Sequence, residues 1–322
     1  MARAEVGDDV LDGDPTTRQL EAMTSELLGK ERALFFPSGV QANQVAVGLL
    51  GRAGAEVVVE AASHIFNYEE GAAPQLWGVQ LRPVETPDGI LTADLAAAAF
   101  RPGGSHLPRT LALVVENTHN AAGGKVVPLE VMKGLSELAQ SRNVRLHIDG
   151  ARLWNAATAL NVQPADVARY ADTVMVSFSK GLGCPVGACL AGPADLMEEA
   201  VILRRRLGGG MRQSGFLAAA GIYALENNLQ RLDEDHKHAA QFASFFAGHE
   251  EVRPIYPETN IVMLDLNTLD AETAASLIAK AGVLVSIFGP SRLRAVMHLD
   301  VTETQVRDAA ELIASALKKG NP

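Results

Sequence analysis

Lys180 stands in "SFSKGLGCPVGACL" (177–190), directly after the apolar, β-branched run "TVMVSF" and ahead of a loop of small residues. A primary amine at the end of a buried strand, beside backbone too lean to cover it, suits a nucleophile that bonds to a carbonyl carbon. Three further polar clusters follow apolar runs of strand length: His64 after "VVVEAAS", Glu116-Asn117-Thr118-His119 after "TLALVV", and Asp149-Gly150-Ala151-Arg152 after "VRLHI". In a parallel sheet, ligands gather beyond the carboxyl ends of the strands. The four clusters together can therefore form one site holding a lysine, a carboxylate, an arginine and two imidazoles.

A cofactor that uses this set is pyridoxal 5'-phosphate. Its aldehyde forms a Schiff base with a lysine amine, and its ring withdraws electrons best when a carboxylate keeps the pyridine nitrogen protonated. Lys180 is the expected Schiff-base residue and Asp149 the expected ring-nitrogen partner. A surface loop lysine and a helix N-cap are the alternative readings of these two, and "DGAR" ahead of "LWNAATAL" does fit a cap. The phosphate needs backbone N–H groups at a helix start, and "SGVQAN" (38–43) offers such a turn at Ser38, Gly39 and Val40, or else an ordinary capped loop. Ser177 can add a hydroxyl from the same strand end as Lys180. "RRRLGGGMRQ" supplies Arg204, Arg205, Arg206 and Arg212 as cations for the phosphate or as a solvated basic face, and its three glycines suggest a close backbone approach.

These residues need a scaffold of alternating strands and helices. Helical spacing of Leu20, Met23, Leu27 and Leu28 predicts a helix over 16–30 with Gly29 as its stop, and a second helix opens near Val40. Strand patterns fall at 55–60, 110–116, 144–149 and 172–178, with helical stretches such as 128–141 between them, so the fold class is α/β with a mostly parallel sheet covered by helices. After long helices over 194–230 the pattern changes to a small α+β unit with strands at 260–266, 283–289 and 293–299 and helices at 231–248, 271–281 and 303–318. The expected organisation is an N-terminal arm (1–15), a large cofactor-binding domain (16–230) and a small C-terminal domain (231–322). Such a division is ordinary for 322 residues. A net charge of −10 with no basic tail argues against nucleic acid as a partner. No apolar run reaches the roughly 18 to 20 residues of a membrane span. Cys184 and Cys189, the only cysteines, make no disulfide framework, so a reducing cytoplasm is expected.

The stretches "AEVGDDV", "DPTTRQLE", "LLGKERALFFPSGVQANQ", "ENTHNAAGGKVVPL", "LHIDGARLWNAA", "SFSKGLGCPVG", "RRRLGGGMRQSG" and "MHLDVT" occur in one order along nearly the whole chain. In them the sequence resembles the low-specificity L-threonine aldolases, fold-type-I pyridoxal-phosphate enzymes with a large domain and a small C-terminal one. The resemblance implies cleavage of L-threonine, L-allo-threonine and related β-hydroxy-α-amino acids to glycine and an aldehyde. It implies Lys180 on the cofactor, Asp149 at the pyridine nitrogen, His64 stacked on the ring near the β-hydroxyl, Gly39 and Val40 at the phosphate, and Arg152 with Arg294 (in "RLRAVMH") on the substrate carboxylate. It further implies a homo-oligomer, commonly a tetramer, whose sites form at dimer interfaces, with Arg205 and Arg212 reaching a neighbouring subunit's phosphate. His64 is the first candidate for the base and His119 the second, with a structural histidine bonded to a backbone carbonyl as the other reading of His119.

Three departures from the family pattern stand out. The sequence starts after an "RSDT"-like stretch whose serine contacts the substrate carboxylate, so that contact is expected to be lacking or replaced. "VLDGDPT" places Leu11 and Asp12 where the family has a tyrosine and a glycine, and Val40 replaces a threonine. A β-eliminating lyase built on the same residues, or an inactive relative serving as a binding or partner subunit, are the rival readings. Lys180→Ala should abolish the yellow absorbance of the bound cofactor together with activity; a variant that keeps both would remove Lys180 from the cofactor.

Overall fold

A computed structural model describes residues 1–101 and 106–320; the last two residues of the expected C-terminal domain lie outside them. The chain divides into two compact units, one of Met1–Ala122 with Val127–Gln230, the other of Gly123–Val126 with the residues from Arg231 onward.

The first unit is built on a seven-stranded sheet. In chain order its strands are β1 (Arg32–Phe36), β2 (Glu56–Glu60), β3 (Gln80–Val84), β4 (Thr110–Glu116), β5 (Arg145–Gly150), β6 (Thr173–Ser177) and β7 (Ala188–Gly192). Their order across the sheet is β1-β7-β6-β5-β4-β2-β3. All neighbours are parallel except β7, which runs antiparallel to both β1 and β6. The mostly parallel α/β sheet expected from the sequence is therefore present. The register sets Asp149 opposite Glu116 on one side and Met175 on the other, so the polar ends of β4, β5 and β6 lie side by side.

Helix α1 (Pro15–Leu28) shows why these elements form. Asp14 caps it by accepting from the Thr17 backbone N–H at 2.9 Å, Pro15 occupies the first turn, and Gly29 closes it in the left-handed region at φ 60°. Helix α2 (Gly39–Leu50) begins at Ser38, whose Oγ accepts from the Gln41 N–H. Its Ala42, Val45 and Ala46 pack with Phe36, Met175 and Leu190 of β1, β6 and β7, while Val47 and Leu50 pack with Val57, Val59 and Val114 of β2 and β4. Helix α2 thus bridges five strands from one face. The last residue of β5, Gly150, is a glycine because a Cβ there would meet the Met175 carbonyl oxygen and lie 2.9 Å from Leu153 Cβ.

The second unit carries β8 (Val252–Ile255), β9 (Ile261–Leu266), β10 (Ser286–Ile287) and β11 (Arg292–Val296) as an antiparallel sheet in the order β10-β11-β9-β8. Helices Leu232–Phe245, Ala271–Lys280 and Glu303–Gly320 cover it. Phe242, Phe246, Leu264, Ile278, Leu293, Ile313 and Leu317 form its core. The strand expected over 283–289 shrinks to two exposed residues at the sheet edge, beside Leu284, which is 88% exposed. No helix among the described residues is long and apolar enough to cross a membrane.

Candidate active site

Asp149 ends β5 and is buried. The helix that follows, Leu153–Leu160, has Arg152 at its N-cap position, which excludes the capping role for Asp149. Its Oδ2 accepts from Asn43 Nδ2 at 2.9 Å, and its Oδ1 accepts from the Ala151 N–H at 3.2 Å. Burial, reinforced by the neighbouring Glu116 and Glu69 carboxylates, pushes its pKa up to about 7. A carboxylate so placed is stabilised by any cation brought to it, and a protonated pyridine nitrogen is one.

Asn43 belongs to α2 and is also buried. Its Nδ2 donates both to Asp149 and to Glu69 Oε1, the latter at 3.0 Å. Carboxylates only accept, so the amide nitrogen must face them, and Asn43 Oδ1 turns to His147 Nε2 at 3.2 Å. His147 is fully buried, and burial depresses its pKa to about 4, which keeps the ring neutral. Its Nδ1 lies 2.9 Å from Thr173 Oγ1. Glu69 Oε2 accepts from Gln44 Nε2 at 2.6 Å.

His64 opens the four-residue helix α3 (His64–Asn67) just beyond β2. Its backbone N–H donates to Glu116 Oε2 at 2.6 Å, and Glu116 Oε1 accepts from the Asn120 N–H at 2.8 Å, so one carboxylate ties the β2 and β4 loops together. The His64 ring is a third exposed, and its Nδ1 lies 3.1 Å from Glu69 Oε1. That hydrogen bond raises the His64 pKa against the opposing effect of burial, with the charges of Asp149, Glu69 and Glu116 adding to it. His64, Glu69 and Asp149 lie close enough to share a metal ion. The Asn43 N–H group fills the gap between the two carboxylates, however, and an N–H donor repels a cation.

His119 is buried with both ring nitrogens engaged. Nε2 lies 2.8 Å from Glu60 Oε2, and Nδ1 accepts from the Ala122 N–H at 3.2 Å. Neither partner is a backbone carbonyl. Burial disfavours its charged form, but the bond to Glu60 and the charges of Glu116, Glu60 and Asp149 outweigh that and raise its pKa. A ring held at both nitrogens must break a bond before it can take a proton.

Lys180 lies three residues beyond the end of β6, exposed, in the loop that leads to β7. Ser177, at the end of β6, is buried; its Oγ sits 3.3 Å from Ser179 Oγ and its carbonyl accepts from Trp154 Nε1. Gly39 and Val40 begin α2, where the first backbone N–H groups have no carbonyl within the helix to bind. Gln41 Nε2 donates to the Leu207 carbonyl, and a Cβ on Gly209 would collide with Gln41 Oε1, so the triple-glycine loop does approach the α2 start. Of the four arginines, Arg204 is an internal tie, bonded to the Phe35 carbonyl at 2.7 Å and to Asp9 at 3.0 Å. Arg205 reaches the Val10 carbonyl, and Arg212 pairs with Asp8 at 2.6 Å, both on exposed surface. Arg294 lies on β11 in the second unit, its guanidinium 5.1 Å from the Phe288 ring centroid. Cys184 is packed with its thiol against the Ala220 carbonyl, and burial raises its pKa to about 11, which makes it inert filler.

The structure adds Asn43, Gln44, Glu69, His147 and Glu60 to the residues expected from the sequence. The signal for the first two was the pair of amides on the buried face of an otherwise apolar helix. Glu69 and Glu60 gave no signal beyond their nearness to His64.

A mostly parallel sheet with a lysine, a buried carboxylate and a helix N-terminus at the carboxyl ends of its strands has the construction of a ligand-binding α/β enzyme. The family described as Beta-eliminating lyase matches residues 1–269. A low-specificity L-threonine aldolase of Escherichia coli K12 is 41% identical over 313 residues, covering 96% of this chain and 92% of that one. The low-specificity L-threonine aldolase 1 of Arabidopsis thaliana is 38% identical, covering 95% and 88%. The solved threonine aldolase of Leishmania major shares the fold at a TM-score of 0.80 and 21% identity, over 94% and 90% of the two chains. The chain belongs to the beta-eliminating lyase family, alongside the low-specificity L-threonine aldolases.

The raised pKa of Asp149 fixes a sign. The folded chain holds this proton more tightly than the unfolded chain, whose value is near 3.8. The stability that the protonated carboxyl contributes is complete below that value and is lost as pH rises through about 7. In the cofactor-free protein, denaturant midpoints measured from acid to neutral pH should therefore fall more steeply for the wild type than for Asp149→Asn. Equal slopes would contradict the burial argument.

Proposed function

We propose that this protein is a pyridoxal 5'-phosphate-dependent carbon–carbon lyase. It cleaves L-threonine, L-allo-threonine and related β-hydroxy-α-amino acids to glycine and an aldehyde. The observation that carries this reading is the buried, cation-seeking carboxylate of Asp149 at the end of β5, one strand from the Lys180 loop and joined through Asn43 and Glu69 to the imidazole of His64.

When bound, pyridoxal phosphate supplies an electron sink for a bond broken at the substrate's Cα. Lys180 would be the amine that holds its aldehyde carbon. Asp149 would face the ring nitrogen, where a positive nitrogen and this buried carboxylate would stabilise each other. The N–H groups of Gly39 and Val40, with the hydroxyls of Ser38 and Ser177, would receive the phosphate at the start of α2. Arg152 holds the substrate carboxylate in the bidentate manner that suits a guanidinium, which fixes which bond at Cα is aligned for cleavage. His64 takes the proton from the β-hydroxyl, and His119, held at both nitrogens, supports the loop beside it.

The same reading makes the protein a homo-oligomer, most simply a tetramer built as a dimer of dimers with sites at the dimer interfaces, and puts Arg205 and Arg212 at a neighbouring subunit's phosphate. Apolar exposure supports it: Phe216 (47%) and Tyr223 (62%) share one face of helix Gly215–Asn227 seven residues apart, and Ile202 (58%) lies on the preceding helix. The reading also places the protein in the cytoplasm, in keeping with two buried free cysteines.

Two measurements test this. Purified protein with cofactor should release glycine and acetaldehyde from L-threonine and L-allo-threonine, and glycine with benzaldehyde from phenylserine. Pyruvate from serine, without aldehyde from the others, would make it a β-eliminating enzyme. Light scattering should give a multiple of the chain mass that Phe216→Glu with Tyr223→Glu reduces; a wild-type monomer would overturn the shared-site reading.

A further inference from the structure

Glu69 is 2% exposed and follows His64 by five residues. Both of its oxygens are engaged. Oε1 takes the Asn43 and His64 donors at 3.0 and 3.1 Å, and Oε2 takes Gln44 at 2.6 Å. Asn43 and Gln44 are neutral amides, whereas His64 can carry a positive charge that balances the carboxylate's. Asn43 cannot turn away, because its Oδ1 is engaged by His147, which is itself engaged by Thr173. A continuous path of side chains, Thr173–His147–Asn43–Glu69–His64, therefore runs from β6 through β5 and α2 to the imidazole. A buried carboxylate held this firmly orients whatever it binds.

We propose that Glu69 is a positioning residue for the cleavage reaction, holding His64 as the Nδ1–H tautomer so that Nε2 is the nitrogen that takes the β-hydroxyl proton. This rests on the aldolase reading above. The proton passes from the β-oxygen to Nε2. The electron pair left on that oxygen closes the aldehyde C=O as the Cα–Cβ bond breaks, and the pair from that bond remains on the Cα side. The imidazolium formed is stabilised by Glu69 across the Nδ1–H bond, and it loses its proton again when the cycle ends. The charged and titratable groups facing the ring are Glu69, Asp149, Glu116 and Tyr68, whose ring centroid lies 5.6 Å from that of His64. All three carboxylates favour the imidazolium, and Glu69 alone bonds to the ring.

The test begins with the wild-type protein free of cofactor. Nitrogen-15 spectra of labelled histidine should show His64 as the Nδ1–H tautomer when neutral; the Nε2–H tautomer would overturn the proposal without any variant. Glu69→Gln should lower the His64 pKa by about one unit or more. With cofactor and L-threonine it should lower kcat by about 10- to 100-fold, the usual effect of removing an orienting partner, while KM holds and the acidic limb of the pH profile moves down. Glu69→Asp, which retains the charge, should recover part of the loss. Unchanged kcat and pKa in Glu69→Gln would refute the role. So would a loss explained wholly by weaker cofactor binding or a lower unfolding midpoint. A wild-type chain that yields no aldehyde sinks the aldolase reading by itself, and the tautomer and pKa measurements still decide whether Glu69 governs His64.

Discussion

The structure of the site follows from one costly placement, a carboxylate buried at the end of a central strand. A lone charge in that position is opposed by desolvation, and a second and third carboxylate nearby, Glu69 and Glu116, oppose it further. The protein meets this with neutral donors. Asn43 gives one amide nitrogen to two of the carboxylates at once, Gln44 serves Glu69, and backbone N–H groups of His64 and Asn120 serve Glu116. Each donor comes from an element that the sheet order already brings to this end, which is why α2 must lie across the strands and carry amides on an otherwise apolar face.

His147 shows how far this constraint reaches. Asp149 and Glu69 decide which way Asn43 faces, and His147 gives the Asn43 oxygen a donor that holds that orientation. Full burial depresses the His147 pKa to about 4 and keeps it a neutral donor. A charged ring there would add a cation beside the amide and compete with any cation drawn to Asp149. Neutrality at 147 and negative charge at 149, two residues apart on one strand and on the same face, belong to the same electrostatic arrangement.

Much of the fold could be read from the sequence because its strands are long, β-branched and framed by glycine and proline. Two of the strands that escaped, β7 and β3, have physical reasons. β7 reads "ACLAG", small residues without β-branching, because it is buried between β1 and β6 and has room for little more. β3 carries Pro83 and is half exposed, as an edge strand permits. At the site, groups that follow an apolar strand were visible: Lys180, Asp149, His64 and His119. The groups that orient them were not, since Glu69 and Asn43 act through distances that only the folded chain defines. The basic run shows the same limit. Arg204, Arg205 and Arg206 look alike in sequence, yet helical spacing turns Arg204 inward to Phe35 and Asp9 and leaves the other two at the surface.

The charge balance of the site explains what it is built to receive. Asp149, Glu69 and Glu116 place three buried acids together, and they accept hydrogen bonds from amides, from backbone N–H groups and, at Glu69, from His64, a side chain that can carry positive charge. A rigid arrangement of this kind binds cationic or proton-bearing groups without having to reorganise when they arrive. In the proposed reaction it would favour a protonated heterocyclic nitrogen at Asp149 and an imidazole that gains a proton at His64. The two would otherwise interfere, because each adds positive charge to a confined space. A separate carboxylate stands beside each, with one amide bonded to both, so charge at one position need not displace charge at the other. That separation is what a cleavage reaction with an electron sink on one side and a proton acceptor on the other requires.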